Sequence, residues 1–248
     1  MPGPVKTEAV VLRSIRYGEA DRVLHLYTPH RGRIGAIAKG VRRSRSRFGG
    51  RLEPFFRLRL VLHEGRGDLL TVTGAETAAA HPRLREHAAA LEAAARACDA
   101  VARLFDSEDP NPQVFHLLCN ELALLDAEPE KATAANALAF RLKLLVAAGL
   151  TPQLAACAAC GAQEHLVGFS GAAGGVTCAA CEASAFPLDE EAHTFLVGAL
   201  GAPLREAPDA PPRALRQAER AILETIEHHA HVRLRGVAAD RLAAATPG

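Results

Sequence analysis

The chain has 248 residues, 49% of them hydrophobic and 23% charged. That composition excludes a disordered chain and suits one to three folded units at about 150 residues each. The formal net charge of +1 conceals a division, since residues 1–80 hold fifteen Lys or Arg against seven Asp or Glu, net +8, while residues 81–248 hold fourteen against twenty-one, net −7. A basic segment joined to an acidic one points to a polyanion as partner of the first and to protein as partner of the second.

In chain order, five short segments rich in Val, Ile, Leu, Phe and Thr come first: Ala9 to Ile15, Val23 to Thr28, Arg33 to Lys39, Phe55 to His63 and Leu69 to Thr77. Such composition at this length predicts strands. In the fourth, Phe56, Leu58, Leu60 and Leu62 alternate with Arg57, Arg59, Val61 and His63, which gives one core face and one largely basic face. Turns are marked by Thr-Pro-His-Arg-Gly at 28–32 and Gly-Arg-Gly-Asp at 65–68. Five strands in so short a span predict a small closed barrel of the OB-fold type over residues 1–80.

After Pro82 the composition turns to Ala, Leu and Glu, and helices are predicted over Arg83 to Phe105, Pro112 to Ala127, Ala132 to Ala148, Leu188 to Leu200 and Pro212 to His231. The fold class is therefore α+β and multidomain: a five-stranded OB-fold barrel, then a helical domain over 81–155 and 185–248, with a cysteine-bearing module inserted at 156–184. No run of residues nears the roughly 20 needed to span a bilayer; the longest apolar stretch, around Leu144 to Leu150, is flanked by Lys143. The start, MPGPVKTEAVV, lacks a secretory pattern. A cytoplasmic protein without membrane contact is expected.

Three constellations bear on chemistry. Cys157 and Cys160, then Cys178 and Cys181, form two Cys-x-x-Cys pairs separated by seventeen residues, the spacing of zinc-ribbon and treble-clef sites. Two cysteines three apart on a tight turn point at one ion, and Gly161 suits the positive φ of such a knuckle. Four thiolates leave no open position, so one structural zinc ion per chain is expected, with a disulfide pair or redox Cys-x-x-Cys as the alternative. Cys98 and Cys119, in predicted helices, read as small buried hydrophobes.

The second constellation is basic: Arg31, Arg33, Lys39, Arg42, Arg43, Arg45, Arg47 and Arg51, in a span with no acidic residue, backed by Arg57 and Arg59 on the next strand. Guanidinium groups bind phosphate bidentately, and Phe48 or Tyr17 would stack on an unpaired base. A solvated loop is the alternative. Tyr27, Phe55 and Phe56 read as core. The third is His228, His229 and His231 near the end of the last helix, read as favourable to the helix dipole rather than as metal ligands. No phosphate-binding GxxxxGK[ST], GxSxG elbow, HExxH or deaminase signature occurs, which favours a non-enzymatic protein.

The segment from Thr7 to Phe55, above all the Gly-Glu-Ala-Asp to Ala-Lys-Gly portion at 18–40, then helices, then Gly-Leu-Thr-Pro at 149–152 leading into the two cysteine pairs around a Gly-Gly, resembles the RecO family of bacterial recombination and repair mediators along essentially the whole chain. That resemblance implies binding to single- and double-stranded DNA, ATP-independent annealing of complementary strands and a nucleoid-associated location. It also implies work with a RecR-type mediator, help to a RecA-type recombinase, and contact of the helical domain with the acidic tail of single-strand-binding protein. Lys39, Gly40, Arg42, Arg43 and Arg47 match the family's basic segment; Arg141 and Lys143 are the candidates for the tail site. A zinc-stabilised protein-interaction adaptor with incidental DNA binding is the alternative function.

Overall fold

The computed structural model describes residues 3–41, 46, 48, 50–65, 67–181, 183 and 185–237. The chain forms two compact units, residues 1–129 and 130–248.

The first unit opens with five strands: β1 (Val5–Tyr17), β2 (Asp21–Thr28), β3 (Gly32–Ala38), β4 (Arg57–His63) and β5 (Leu70–Ala79). They close in the order β1-β2-β3-β5-β4. All neighbours are antiparallel except β3 and β5, which meet in parallel at Ala36 with Leu70 and Ile37 with Thr71. This is the expected OB-fold barrel. The alternation in β4 turns Leu58, Leu60 and Leu62 inward, each at most 2% exposed, where they meet Val11, Leu24, Leu26, Ile34, Ala36 and Val72 from the other strands.

The same unit includes α1 (Ala88–Leu104), preceded by a 3-10 turn at Pro82–Arg85, and α2 (Pro112–Ala127). The division at residue 80 expected from composition therefore does not coincide with the boundary between compact units. The reason is packing: β2 and β3 present Tyr27 and Arg33 to the end of α1. Tyr27 is fully buried, edge-on to Phe105 at 6.3 Å. Arg33 donates to the carbonyls of Ala102 and Asp106, and its amide to that of Ser107, placing a cation at the negative end of the helix. Cys98 and Cys119 are buried in these helices. Desolvation pushes the Cys119 thiol up to about 11 and raises that of Cys98 as well, so both behave as the apolar fillers expected.

The second unit holds α3 (Ala134–Ala147), α4 (Glu190–Gly201) and α5 (Pro212–Ala230), with a three-stranded sheet between α3 and α4 made of β6 (Leu166–Ser170), β7 (Gly175–Cys178) and β8 (Phe186–Pro187) in the order β7-β6-β8. Side-chain caps start two of the helices: Thr133 Oγ1 accepts from Asn136 N, and Asp189 Oδ1 from Ala192 N. Leu138, Leu142 and Leu145 of α3 face inward with no exposure, and Phe195, Ile222 and Ile226 complete the core. After α5 the chain turns at His231, in the left-handed region at φ 56°, and residues 232–237 return along the bundle. Among the described residues no helix is long and apolar enough to cross a membrane.

Candidate nucleic-acid interface and metal centre

The two cysteine pairs converge. The four sulfur atoms lie within 4.8 Å of one another, and Cys160 Sγ is 3.7 Å from Cys178 Sγ. A tetrahedral thiolate site with metal–sulfur bonds of about 2.3 Å has sulfur–sulfur edges of about 3.8 Å, so the four residues fit one metal ion. Local backbone explains the convergence. Gly161 N bonds Cys157 O and Cys157 N bonds Ala162 O, and Gly161 sits at φ 80°, closing the first knuckle; Cys181 N bonds Cys178 O in the second. Cys178 ends β7 opposite Leu166 at the start of β6, so the hairpin sets the distance between the knuckles. The backbone amide of Cys178, ahead of those of Cys160 and Ala159, lowers the Cys157 thiol to about 6, whereas neighbouring thiols, Cys160 first, push Cys181 up to about 12.

The four-cysteine module is anchored on both sides. Gln153 and the hairpin exchange backbone hydrogen bonds with Gly174 and Val176, and His229 Nε2 of α5 donates to Gly171 O at 2.8 Å. Phe169 and Phe186 meet at 5.8 Å, and the Arg220 guanidinium lies 4.1 Å above the Phe186 ring. His229 is thereby occupied in holding the hairpin. Among the described residues, no further cluster of three or more metal-ligating side chains occurs.

The basic residues of the first unit divide into two groups. Arg57 donates to Glu8 Oε2 from both Nε and Nη2, at 3.0 and 2.5 Å, and its guanidinium is 5.7 Å from the Phe115 ring centroid. Arg59 sits between Glu8, at 3.6 Å, and Glu76, at 3.4 Å, because strand register places Glu8 and Glu76 directly opposite it on either side. The face of β4 expected to be largely basic is thus neutralised by its neighbours. Arg31 meets Glu108 at 3.4 Å, Arg22 meets Glu53 at 3.0 Å, and Arg33 serves the end of α1.

The second group lies around the end of β3 and the return to β4. Lys39 is exposed at the end of β3 and Arg51 is exposed in the return to β4. Arg42, Arg43, Arg45 and Arg47 lie outside the described residues. Phe48, expected as a stacking ring, is instead 2% exposed within the barrel core, in the cluster that contains Leu52 and Phe56, because burying a large apolar ring is favourable. Tyr17, the other aromatic candidate, is 60% exposed. Sequence reading missed Arg13, Arg16 and His25, which stand on β1 and β2 and have no acidic partner among the described residues. Burial first, then the fields of Arg33 and Arg13, lower the pKa of His25.

In the second unit, Arg141 corrects an expectation. It is 3% exposed, with Nη1 3.7 Å from Glu219 Oε1 and Nη2 donating to Arg235 O at 2.5 Å, so it clamps the returning chain and presents nothing to a partner. Lys143 is partly buried, donates to Leu200 O at 3.2 Å, and has its pKa lowered by desolvation.

Comparison with known proteins agrees with this architecture. The family model described as "Recombination protein O N terminal" matches residues 1–81 and "Recombination protein O C terminal" matches residues 85–236. The chain is 40% identical to a DNA repair protein RecO of Anaeromyxobacter sp. strain K over 240 residues, covering 93% of each chain. It is 38% identical to that of Rubrobacter xylanophilus over 248 residues, covering 98% of this chain and 97% of the relative. The RecO of Geobacter sulfurreducens is 36% identical over 219 residues, 87% of this chain and 88% of the relative. The seam between the two family models falls at the end of the barrel, although α1 and α2 pack within the barrel's unit. With the OB-fold barrel, the helices and the four-cysteine cluster in place, both family models match in order, and the chain belongs to the RecO family of DNA repair proteins.

Proposed function

We propose that this chain is a non-enzymatic recombination mediator that binds single- and double-stranded DNA, anneals complementary strands without ATP and helps load a recombinase during repair. The observation that carries the reading is the OB-fold barrel of a RecO-family chain in which Arg57 and Arg59 are paired with acids on the β4 side, whereas Arg13, Arg16 and Lys39 have no acidic partner among the described residues. Annealing requires two polyanions to be held while their repulsion is reduced. Lys39, Arg42, Arg43, Arg45, Arg47 and Arg51 would do this by neutralising phosphates and releasing counterions, with no proton transfer or covalent step.

The partners implied by family membership are a RecR-type mediator, the acidic tail of single-strand-binding protein and, indirectly, a RecA-type recombinase. Cys157, Cys160, Cys178 and Cys181 would hold one zinc ion, which supplies a cross-link between the knuckles and, with four thiolates around it, offers no position for water. The metal role is structural.

The test is strand annealing of complementary oligonucleotides with and without ATP, together with binding across a salt series. Annealing independent of ATP is expected. For about six phosphates contacted on a single strand, the log–log salt slope should be near −4. Arg42, Arg43 and Arg45 changed together to Glu should weaken binding to every sequence alike. A slope near zero, with no annealing, would refute the reading and leave a protein adaptor in its place.

A further inference from the structure

Residues 144–204 contain no Lys or Arg and five acidic residues, Glu164, Glu182, Asp189, Glu190 and Glu191. A stretch of this charge repels phosphate, so the surface it forms does not suit nucleic acid. Asp189 is engaged, with Oδ1 accepting the Ala192 amide and Oδ2 3.3 Å from Arg213 Nε. Glu164, Glu190 and Glu191 are exposed and have no ion-pair partner among the described residues; Glu182 lies outside them.

The unpaired acids stand beside an apolar groove. Pro152, Leu154, Leu166, Val197 and Leu200 line a cleft of about 710 Å³ between α4, the chain that leaves α3 and the four-cysteine module. Pro152 and Leu154 are buried, Leu166 and Leu200 half-buried, and Val197 is 47% exposed. Glu190, His193, Val197 and Leu200 follow one another at three- and four-residue steps, which sets them along one face of α4. The groove therefore has an apolar middle and a carboxylate at one end. Glu164 lies between Gln163 and Leu166, both of which line the cleft. Val146, 44% exposed, stands one turn along α3 from Lys143, whose Nζ reaches Leu200 O, and adds apolar surface at the other end.

The two basic side chains at this place are spent on the backbone. His193 Nε2 donates to Leu154 O at 2.7 Å, and the partly buried Lys143 donates to Leu200 O at 3.2 Å. The charge left open at the rim is negative. An exposed apolar groove with a polar rim marks a binding surface, and a groove beside a helix takes an amphipathic helix with anchors at i, i+3 or i+4, and i+7. The twelve residues of α4 extend about 18 Å, enough for about three turns of such a ligand. Charge then selects among ligands, since Lys or Arg beside the anchors complements Glu164 and Glu190 and an acidic segment is repelled.

We infer that the groove between α4 and the four-cysteine module is a docking site for a basic amphipathic helix of a protein partner, with Leu154, Leu166 and Val197 receiving its apolar anchors and Glu164 and Glu190 its cations. An acidic tail docks elsewhere on the chain.

The probes are three labelled peptides of about 14 residues, each with Leu at helical i, i+3, i+7 and i+10 positions and with Lys, Gln or Glu at the others, titrated into the full chain by fluorescence polarisation. The Lys peptide should bind tightest, and the Glu peptide about tenfold or more weakly than it. Val197→Asp separates docking from general attraction. It adds an acid, so attraction by charge alone predicts tighter binding of the Lys peptide, whereas seating in the groove predicts binding about tenfold weaker. Glu190→Gln, a change at an exposed side chain, should weaken the Lys peptide and leave the Gln peptide unaffected, and thermal melts followed by circular dichroism check that both variants fold. Preference for the Glu peptide, equal binding of all three, or undiminished binding to Val197→Asp overturns the inference. So does a dimer in sedimentation that Val197→Asp dissociates, which would make a second copy of this chain the occupant.

Discussion

Replacing Arg141 by Met removes a charge from the interior of the second unit and leaves another behind. The Arg141 and Glu219 side chains are 4% and 9% exposed, and Glu219 Oε1 also accepts the amide of Val237. Methionine reproduces the length of the arginine stem but removes the Arg141 guanidinium from beside Glu219. Removing one partner from a buried pair typically costs about 3–5 kcal/mol. In a unit of this size about 1 kcal/mol moves the thermal midpoint by roughly 4 °C, so the transition of the second unit should fall by about 12–20 °C. Adding Glu219→Gln removes the stranded charge while retaining an acceptor for the Val237 amide, and most of the loss should be recovered. Scanning calorimetry of wild type, both single variants and the double variant gives the coupling directly. A fall of less than about 4 °C in Arg141→Met, equivalent to about 1 kcal/mol, would refute the argument, since it would mean that water already solvates the pair.

Three further outcomes follow from the geometry. Cys178→Ser should abolish stoichiometric zinc in metal analysis and unfold the β6–β8 module, because apparent binding energies at four-ligand zinc sites are about 10–16 kcal/mol; a folded, protease-resistant variant without metal would contradict the structural role. Arg57→Ala should lower stability, since it removes a bidentate contact with Glu8 and the Phe115 ring contact, yet leave the salt slope of DNA binding unchanged; a slope reduced by about one would show that Arg57 reaches a phosphate. Burial lowers the folded-state pKa of His81 below 6.5, more than Asp126 raises it. The unfolded chain therefore takes up the proton first, and stability present above pH 6.5 is lost as pH falls through 6.5 toward the lower folded value. His81→Asn, which tolerates the φ of 48° at this position, should flatten that loss in urea midpoints measured at pH 7.5 and 5.5.

The fold was legible where local signals were strong. The helix expected from Pro112 to Ala127 is α2 over those residues, and Asn111 Oδ1 accepts from Val114 N at its start. The two cysteine pairs were legible because spacing within each knuckle is a local property. Partners across strands were not. Arg57 and Arg59 read as a basic face because Glu8 lies 49 residues from Arg57 in sequence and comes beside it only through the β1–β4 register. The row of Ile15, Val23 and Ile37 across β1, β2 and β3 is invisible for the same reason: each is ordinary in its own strand, and only antiparallel pairing lines them up. Phe48 lies in a glycine- and arginine-rich segment that reads as solvent-facing throughout, yet its large apolar ring packs into the barrel core. Strands β6 to β8, of five, four and two residues, are too short to show a period of two.

The closure of the barrel has a mechanical consequence. Strands β2 and β3 remain in register from Arg22 with Ala38 to Thr28 with Gly32, whereas β3 and β5 meet at Ala36 with Leu70 and Ile37 with Thr71 alone. A cylinder held by one short parallel seam yields there first, in the way a riveted tube splits along its shortest row of rivets. The amides of Ile37 and Thr71 should exchange with solvent ahead of the rest of the cylinder wall. An opening at this seam would let β1, β2 and β3 swing outward as a hinged flap while the β1–β4 and β4–β5 ladders stay intact.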